Sequence, residues 1–215
     1  MKVGTDGVLL GAWANCSDVR TILDTGTGSG LIALMLAQRC PAKIDAIDLD
    51  KDACRQAQIN FGNSPFSDRL LVHFSSLQNF SPERKYDLIV SNPPYFSNSL
   101  PSPDKGRTQA RHNNTLPFDD LIKKSLTLLS PQGKLALILP YGDFGRIHVL
   151  AKENGLFLYR KTTVIPVQNR PPKRILLEYS RACSSPEENE LIIEKSPSVY
   201  SEAYINLTKD FYLKM

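Results

Sequence analysis

The sequence predicts an α/β fold built on a seven-stranded, mostly parallel open sheet with one antiparallel strand and helices on both faces. Short apolar runs alternate with longer helix-forming segments from Thr21 onward, and this alternation is typical of a parallel sheet covered on both sides. Near the C-terminus, two strand-like runs follow one another with only a loop between them, which predicts the antiparallel strand. The 215 residues suit a single domain spanning residues 1–215.

The first four predicted elements form two strand–helix units. Thr21–Thr25 is a short apolar run that enters a glycine cluster, and Lys43–Asp48 is a second run of this kind. Both are therefore predicted as buried strands. Leu31–Arg39 consists largely of good helix formers. Residues 50–61 follow the second strand as a helix, for which Asp50 is a plausible N-cap.

The middle of the chain continues the alternation. Leu70–Phe74 and Tyr86–Ser91 are predicted as the third and fourth strands. Residues 97–115 are polar and rich in proline, serine and asparagine, so they are expected to form a long substrate loop. An amphipathic helix at 118–129 then leads to a fifth strand at 134–139, which a proline ends.

The last third of the chain begins with a helix at 143–154, and the glycine just past it suits a C-terminal cap. Strands are predicted at 156–165 and 174–179. The loop between them is either the Pro-Pro-Lys run alone or a longer loop that begins at Val167. The remaining predicted elements are a short strand at 191–194 and a helix at 201–213.

The cysteines and the apolar runs exclude several classes of protein. Cys16, Cys40, Cys54 and Cys183 form no CxxC pair and do not cluster with the histidines, so no metal site is expected. Scattered single cysteines indicate reduced core thiols. The start of the chain has no secretory signal, and no apolar run is long enough to cross a bilayer. We therefore expect a soluble, cytoplasmic monomer without a membrane partner.

Charge is concentrated in the middle of the chain. The net charge is −1 over residues 1–100, +8 over residues 101–181 and −3 over residues 182–215. A basic segment of this size suits a nucleic-acid phosphate backbone, although an ordinary solvated surface is an equal alternative on charge alone.

A glycine-rich loop joins the first strand to the first helix. Asp24, Gly26, Gly28 and Gly30 form a DxGxGxG motif, in which glycines let the backbone turn sharply and approach a ligand closely. The third glycine comes one residue too early for the dinucleotide motif. The loop therefore suits a cofactor with an amino-acid end and no pyrophosphate, and Asp24 suits its cationic ammonium group.

Two residues at the end of the second strand extend the predicted cofactor site. The Asp48 carboxylate can accept two hydrogen bonds from a ribose diol, and Leu49 can pack on an adenine ring. Asp50 is the rival acceptor, but its better role is to cap the following helix.

The fourth strand runs directly into Asn92, Pro93, Pro94 and Tyr95. The Asn92 side-chain oxygen and the Pro93 carbonyl can together accept both hydrogens of a planar NH2 group, and the two prolines preorganise these acceptors. Tyr95 can stack on the flat substrate. The motif thus predicts a site that binds a conjugated amine and relies on positioning rather than on a strong base.

The glycine motif, the acidic end of the second strand and NPPY together resemble class I S-adenosylmethionine-dependent methyltransferases that act on planar amines. Residues 2–13 (KVGTDGVLLGAW) and 201–204 (SEAY) are similar to the bacterial tRNA1(Val) adenine-N6 methyltransferase family, over essentially the whole chain. The resemblance implies a Rossmann-like fold, S-adenosyl-L-methionine as cofactor and a tRNA substrate, with methylation of the adenine beside the anticodon. Family members carry a short segment before the position of Lys2.

The resemblance also assigns roles to residues. It places Thr5 and Asp6, within an N-terminal cap segment at 1–20, near the cofactor, and it assigns residues 92–95 to the adenine, with Asn92 also beside the cofactor. Where the family often has an acidic residue after the third strand, Ser76 stands here. A serine offers a single hydrogen bond to the cofactor adenine.

The basic segment then becomes a candidate RNA surface. Some of its cations follow NPPY in the long loop and others flank the predicted hairpin. The candidates for phosphate contact are Lys105, Arg107, Arg111, Arg170, Lys173 and Arg174.

Two other functions share parts of this pattern. A protein glutamine N5-methyltransferase would hold a planar side-chain amide by the same NPPY geometry. A nucleotide-binding module without catalysis would use the glycine loop alone.

Overall fold

The computed structural model describes residues 4–94 and 117–213. Within them, one sheet contains all the strands, in the order β3-β2-β1-β4-β5-β7-β6-β8-β9. The strands are β1 (Thr21–Thr25), β2 (Lys43–Asp48), β3 (Leu70–Phe74), β4 (Tyr86–Ser91), β5 (Leu129–Pro140), β6 (Phe157–Val167), β7 (Arg174–Ser180), β8 (Glu187–Ser196) and β9 (Val199–Tyr200). The helices are α1 (Thr5–Trp13), α2 (Leu31–Arg39), α3 (Lys51–Gly62), α4 (Phe118–Leu128), α5 (Phe144–Glu153) and α6 (Glu202–Thr208).

The predicted α/β class is confirmed, but the strand count is corrected. The first seven strands form the expected sheet, in which β7 is antiparallel to β5 and β6. The described residues add β8, parallel to β6, and β9, antiparallel to β8. The sheet thus has nine strands rather than seven, and two antiparallel strands rather than one. The short run at 191–194 is the centre of β8, which tertiary pairing extends into charged sequence.

Helices cover both faces of the sheet, as predicted. On one face, Leu9 of α1, Leu36 of α2 and Ala57 of α3 belong to a single buried cluster. On the other, Leu121 of α4 and Ile147 of α5 belong to a second cluster. The side chains between the two layers are close-packed apolar groups, which supply the main driving force for this arrangement.

Helix α1 is the one described α-helix that sequence analysis did not predict. Its residues include Gly7 and Gly11, and glycine disfavours helix interiors. Both face α2: a Cβ on Gly7 would lie 3.3 Å from Leu31 Cδ2, and one on Gly11 would lie 2.8 Å from Met35 Sδ. The glycines therefore allow the two helices to approach closely, and this packing outweighs their low propensity.

Several helix ends confirm the capping predictions. Asp50 accepts hydrogen bonds from the Asp52 and Ala53 amides at the start of α3, and the Ser201 side chain accepts one from the Tyr204 amide at the start of α6. The loop between β6 and β7 covers residues 168–173, so it begins just after Val167 rather than at the prolines.

The cysteine prediction holds in part. Cys16, Cys40 and Cys54 are free and buried, whereas Cys183 is free but exposed. None of the described helices is both long enough and apolar enough to span a membrane.

Candidate active site

The glycine loop is held in a conformation that other residues rarely adopt. Gly26, Gly28 and Gly30 have φ values of 71°, 58° and 82°, in the left-handed region that favours glycine. A Cβ on Gly30 would also lie 2.4 Å from Phe61 Cε1. The Gly26 and Thr27 amides donate to the Ile47 carbonyl oxygen at 2.9 and 3.0 Å. These bonds anchor the loop above the end of β2.

Asp48 connects the glycine loop to the start of α3. Its Oδ2 accepts a hydrogen bond from the Gly28 amide at 2.8 Å, and its Oδ1 accepts one from the Asp50 amide at 2.9 Å. A carboxylate has about four lone-pair sites, so two acceptor positions stay available. Asp48 can therefore clamp the loop and still bind a diol, whereas Asp50 is occupied in capping α3.

Asp24 lies beneath the loop. Its side chain is 0% exposed, and Thr27 Oγ1 donates to its Oδ2 at 2.6 Å. Burial raises the pKa of Asp24 to about 7, and the nearby Asp48 charge adds to this effect, while the Thr27 hydroxyl and the Ala33 backbone oppose it. Among the described atoms, Asp24 Oδ1 has no hydrogen-bond partner. The residue thus supports the loop from below and is not on the wall of the cavity above it.

A cavity of about 680 Å³ lies at the carboxyl end of β1, β2 and β4. It brings together seven of the residues that the sequence singled out: Gly26, Gly28, Asp48, Leu49, Asn92, Pro93 and Pro94. Residues from three separate motifs therefore share one cavity, as the carboxyl-edge rule for open α/β sheets predicts.

Sequence analysis missed the apolar wall that faces Leu49. Phe74, the last residue of β3, is 64% exposed and lines the cavity, and Leu49 is 49% exposed. Large apolar side chains left in water beside a polar cleft suit a flat ligand that would cover them. The sequence could have indicated this wall, since Phe74 ends the predicted strand next to β2, at the same edge of the sheet as Leu49.

Ser75, rather than Ser76, faces the cavity. Ser75 lines it, and the Ser75 amide donates to the Asp48 carbonyl oxygen at 3.0 Å. Ser76 Oγ instead accepts a hydrogen bond from the Asn79 amide at 3.1 Å, which stabilises the following turn.

Asn92, Pro93 and Pro94, which we call the acceptor corner, are connected to the glycine loop through neighbouring strands. Thr25 pairs with Ser91 in the β1–β4 register, so Asn92 and Gly26 both follow directly from that pair. Ser91 Oγ donates to the Thr25 carbonyl oxygen at 3.1 Å, and Thr25 Oγ1 donates to that of Val90 at 3.3 Å. These bonds hold the two strand ends together. Tyr95 lies outside the described residues.

The structure pairs two residues that the sequence had placed in different roles. Asp6 Oδ2 lies 2.9 Å from Arg174 Nε, which joins the first turn of α1 to the start of β7. Thr5 is exposed, and neither Thr5 nor Asp6 lines the cavity. Because Gly7 packs against Leu31 at the start of α2, this ion pair holds α1 near the glycine loop.

The predicted RNA-binding cations divide into three groups, of which the first is Arg174 alone, half-buried and paired with Asp6. Arg170 and Lys173 are exposed in the β6–β7 loop. Lys105, Arg107 and Arg111, with the whole 97–115 substrate loop, lie outside the described residues.

Comparisons with curated proteins identify close relatives of the whole chain. It is 50% identical to the tRNA1(Val) (adenine(37)-N6)-methyltransferase of Parabacteroides distasonis, with 100% of this chain and 92% of the relative covered. It is 46% identical to the enzyme of the same name from Flavobacterium psychrophilum, covering 100% of this chain and 94% of the relative.

Solved structures share the fold at low identity. A protein of Agrobacterium tumefaciens described as a predicted O-methyltransferase superposes with a TM-score of 0.73 at 19% identity, covering 95% of this chain and 96% of that one. A glycopeptide N-methyltransferase solved with S-adenosylmethionine gives 0.59 at 13% identity, covering 84% and 100%. The model of the methyltransferase small domain matches residues 5–155. The chain belongs to this methyltransferase family, and within it to the tRNA1(Val) (adenine(37)-N6)-methyltransferases.

Proposed function

We propose that this protein methylates the exocyclic N6 amine of adenine 37 in tRNA1(Val), with S-adenosyl-L-methionine as the methyl donor. The observation that carries the proposal is the shared cavity, in which Asn92, Pro93 and Pro94 stand beside Gly26 and Gly28. A donor held by the loop and an amine held by the corner would thus lie close together.

The residues present fit S-adenosylmethionine. The ligand supplies an electrophilic methyl group on a sulfonium. Asp48 has two acceptor positions left for the ribose diol, while Leu49 and Phe74 offer apolar surface to the adenine ring. The buried Asp24 carboxylate, with its orphaned Oδ1, provides negative potential beneath the loop for an ammonium group.

Asn92 and Pro93 would act on the acceptor amine. The Asn92 side-chain oxygen and the Pro93 carbonyl each accept one N–H, which turns the nitrogen lone pair out of conjugation and toward the donor. The adjacent prolines restrict φ, so this geometry exists before the substrate binds. Rigid positioning of two reactants can contribute roughly 7–11 kcal/mol of barrier lowering. We further propose that Tyr95 stacks on the adenine.

The RNA substrate is supported by the relatives' names and by charge. The exposed Arg170 and Lys173 lie on the same sheet edge as the cavity. Relatives at 44–50% identity bear the tRNA methyltransferase name, and none of these observations favours the glutamine N5-methyltransferase alternative.

The test uses labelled S-adenosylmethionine with two substrates, a tRNA1(Val) transcript and a translation release factor. We expect label in the RNA, recovered as N6-methyladenosine on digestion, and only when position 37 is an adenine. Label in the protein alone would overturn the RNA assignment. Cofactor binding without transfer to either would overturn the enzymatic one.

A further inference from the structure

An exposed tyrosine stands at the carboxyl edge of the sheet and has no role in the proposed chemistry. Tyr141 follows Pro140 directly at the end of β5, in a short 3-10 turn, and is 43% exposed. Its aromatic ring therefore presents a large apolar surface to solvent on the edge that carries the cavity.

The backbone fixes this tyrosine against a basic loop. The Tyr141 amide donates to the Lys173 carbonyl oxygen at 3.1 Å, and the Lys173 amide donates to that of Val164 at 3.0 Å. The residue after β5, the residue before β7 and Val164 within β6 are thus joined by consecutive hydrogen bonds. The backbones of Tyr141 and Lys173 are therefore held next to each other, which limits the backbone entropy lost when a ligand binds.

A second cation belongs to the same loop. The Arg170 amide donates to the Val167 carbonyl oxygen at 3.0 Å, and Asn169 between them has a φ of 62°, a conformation that asparagine tolerates in tight turns. Arg170 is exposed, as is Lys173. We call Tyr141, Arg170 and Lys173 together the rim; Arg174 is excluded because it pairs with Asp6.

Strand register places the rim beside the acceptor corner. Ser91 of β4 pairs with Leu137 of β5, and Pro140 of β5 pairs with Arg174 of β7. Asn92 and Tyr141 therefore follow adjacent parallel strands, which lie about 4.8 Å apart. Tyr141 stands three residues further along its strand than the position level with Asn92, about 10 Å beyond it, and the Lys173 end of the loop is one strand further. A ligand extending from the corner along this edge meets Tyr141 first and the cations next.

An exposed aromatic ring beside cations is the combination that binds unpaired nucleotides, because bases stack on the ring and cations contact the phosphates. Resting on the proposed function, we propose that Tyr141 stacks on the base of a nucleotide next to the target adenine. Arg170 and Lys173 contact the phosphates on that side. The rim thereby holds the RNA strand while the target adenine occupies the corner.

The experiment couples a protein variant to an RNA variant. The probe is an anticodon stem-loop of tRNA1(Val), intact or with one neighbour of the target adenine replaced by an abasic residue. Binding is measured by fluorescence anisotropy and methylation by label transfer, for the wild type, Tyr141→Ala and Tyr141→Phe. Tyr159→Ala is the matched control, since Tyr159 is 37% exposed but lies near the amino end of β6, at the opposite edge of the sheet.

Removal of one stacking partner is expected to weaken binding roughly 5- to 100-fold. Tyr141→Ala should lose this affinity for the intact RNA, whereas Tyr141→Phe and Tyr159→Ala should retain it. At one of the two neighbouring positions, the abasic residue should lower the affinity of the RNA for the wild type. The same abasic RNA should bind Tyr141→Ala as tightly as the intact RNA binds that variant.

Equal abasic penalties in the wild type and Tyr141→Ala, at both neighbouring positions, would overturn the stacking role. The coupling between the Tyr141 substitution and the abasic substitution can be measured by binding alone. If it is found but the wild type does not methylate adenine, the stacking role of the rim is supported and the proposed reaction is overturned. A wild type that methylates adenine normally, with no effect of Tyr141→Ala on binding, overturns the rim alone.

Discussion

Two aspartates at opposite edges of the sheet, one half-buried and one buried, differ in how fully their carboxylates are hydrogen-bonded. At the amino edge, Asp87 accepts hydrogen bonds from the Arg20 and Thr21 amides and from the Thr21 and Ser130 hydroxyls. At the carboxyl edge, the Asp24 side chain accepts a hydrogen bond from the Thr27 hydroxyl, and its Oδ1 has no hydrogen-bond partner among the described residues.

The pKa values follow this difference. Burial opposes ionisation of Asp87, but its backbone and hydroxyl donors outweigh that effect and lower its pKa. Burial dominates at Asp24 and raises its pKa to about 7. A polar group that serves only the fold is saturated by its neighbours, whereas one that keeps unused capacity is a candidate for binding a ligand. The predictions below test whether this contrast separates structure from function.

The largest effect is expected at the acceptor corner. Asn92→Ala should lower kcat about 100- to 1000-fold, because it removes one preorganised partner of the acceptor amine, while cofactor affinity changes little. Single-turnover label transfer and calorimetric cofactor binding measure the two quantities. Asn206→Ala, an exposed asparagine in α6, is the control and should retain full activity; near-normal turnover of Asn92→Ala would refute the catalytic assignment.

Asp24→Asn should stabilise the protein and weaken cofactor binding. Since the folded pKa is raised, the Asp24 contribution to stability is fully present below pH 3.8 and is lost as pH rises through about 7. The variant should therefore gain about 2–4 kcal/mol in unfolding free energy at pH 8 but little at pH 4. Urea unfolding at both pH values measures this; an equal gain at both would contradict it.

The cofactor measurement on the same variant completes the contrast. Loss of the charge under an ammonium group should weaken S-adenosylmethionine binding roughly 10- to 100-fold. Unchanged calorimetric affinity at pH 8 would make Asp24 a support of the loop and nothing more.

Asp87→Asn should act in the opposite direction. Its folded pKa is lowered, so its contribution is present above the unfolded pKa and is lost as pH falls through the folded value. We expect the unfolding free energy to fall by about 1–3 kcal/mol at pH 7 and by less at pH 3. Methylation activity should be unchanged at urea concentrations below the unfolding transition. Asp18→Asn, at an exposed position, should leave the urea midpoint unchanged.

The smallest expected effect is on the salt dependence of RNA binding, tested with one lysine from each edge of the sheet. Lys173→Ala should flatten the plot of log binding constant against log salt by about 0.7, the value for one phosphate contact to a single strand. Lys43→Ala, at the amino end of β2, should leave the slope of stem-loop binding unchanged. Equal slopes for both variants would remove Lys173 from the RNA surface.

Local patterns predicted most of the fold. The bounds of β1, α2, β2, β3 and β4 are those predicted from apolar runs and turn residues, because burial on both faces of a parallel sheet leaves a clear local signature. Helix α1 was missed because its glycines oppose helix formation locally and are explained only by contact with Leu31 and Met35.

The sequence by itself determined the α/β class, the glycine loop at Gly26 and Gly28, and the NPPY corner, since each depends on neighbours within a few residues. Tertiary structure alone decided that Asp24 is buried, that Ser75 replaces Ser76 at the cavity, and that Asp6 pairs with Arg174. These depend on packing between segments as many as 168 residues apart, and no local pattern encodes contacts of that kind.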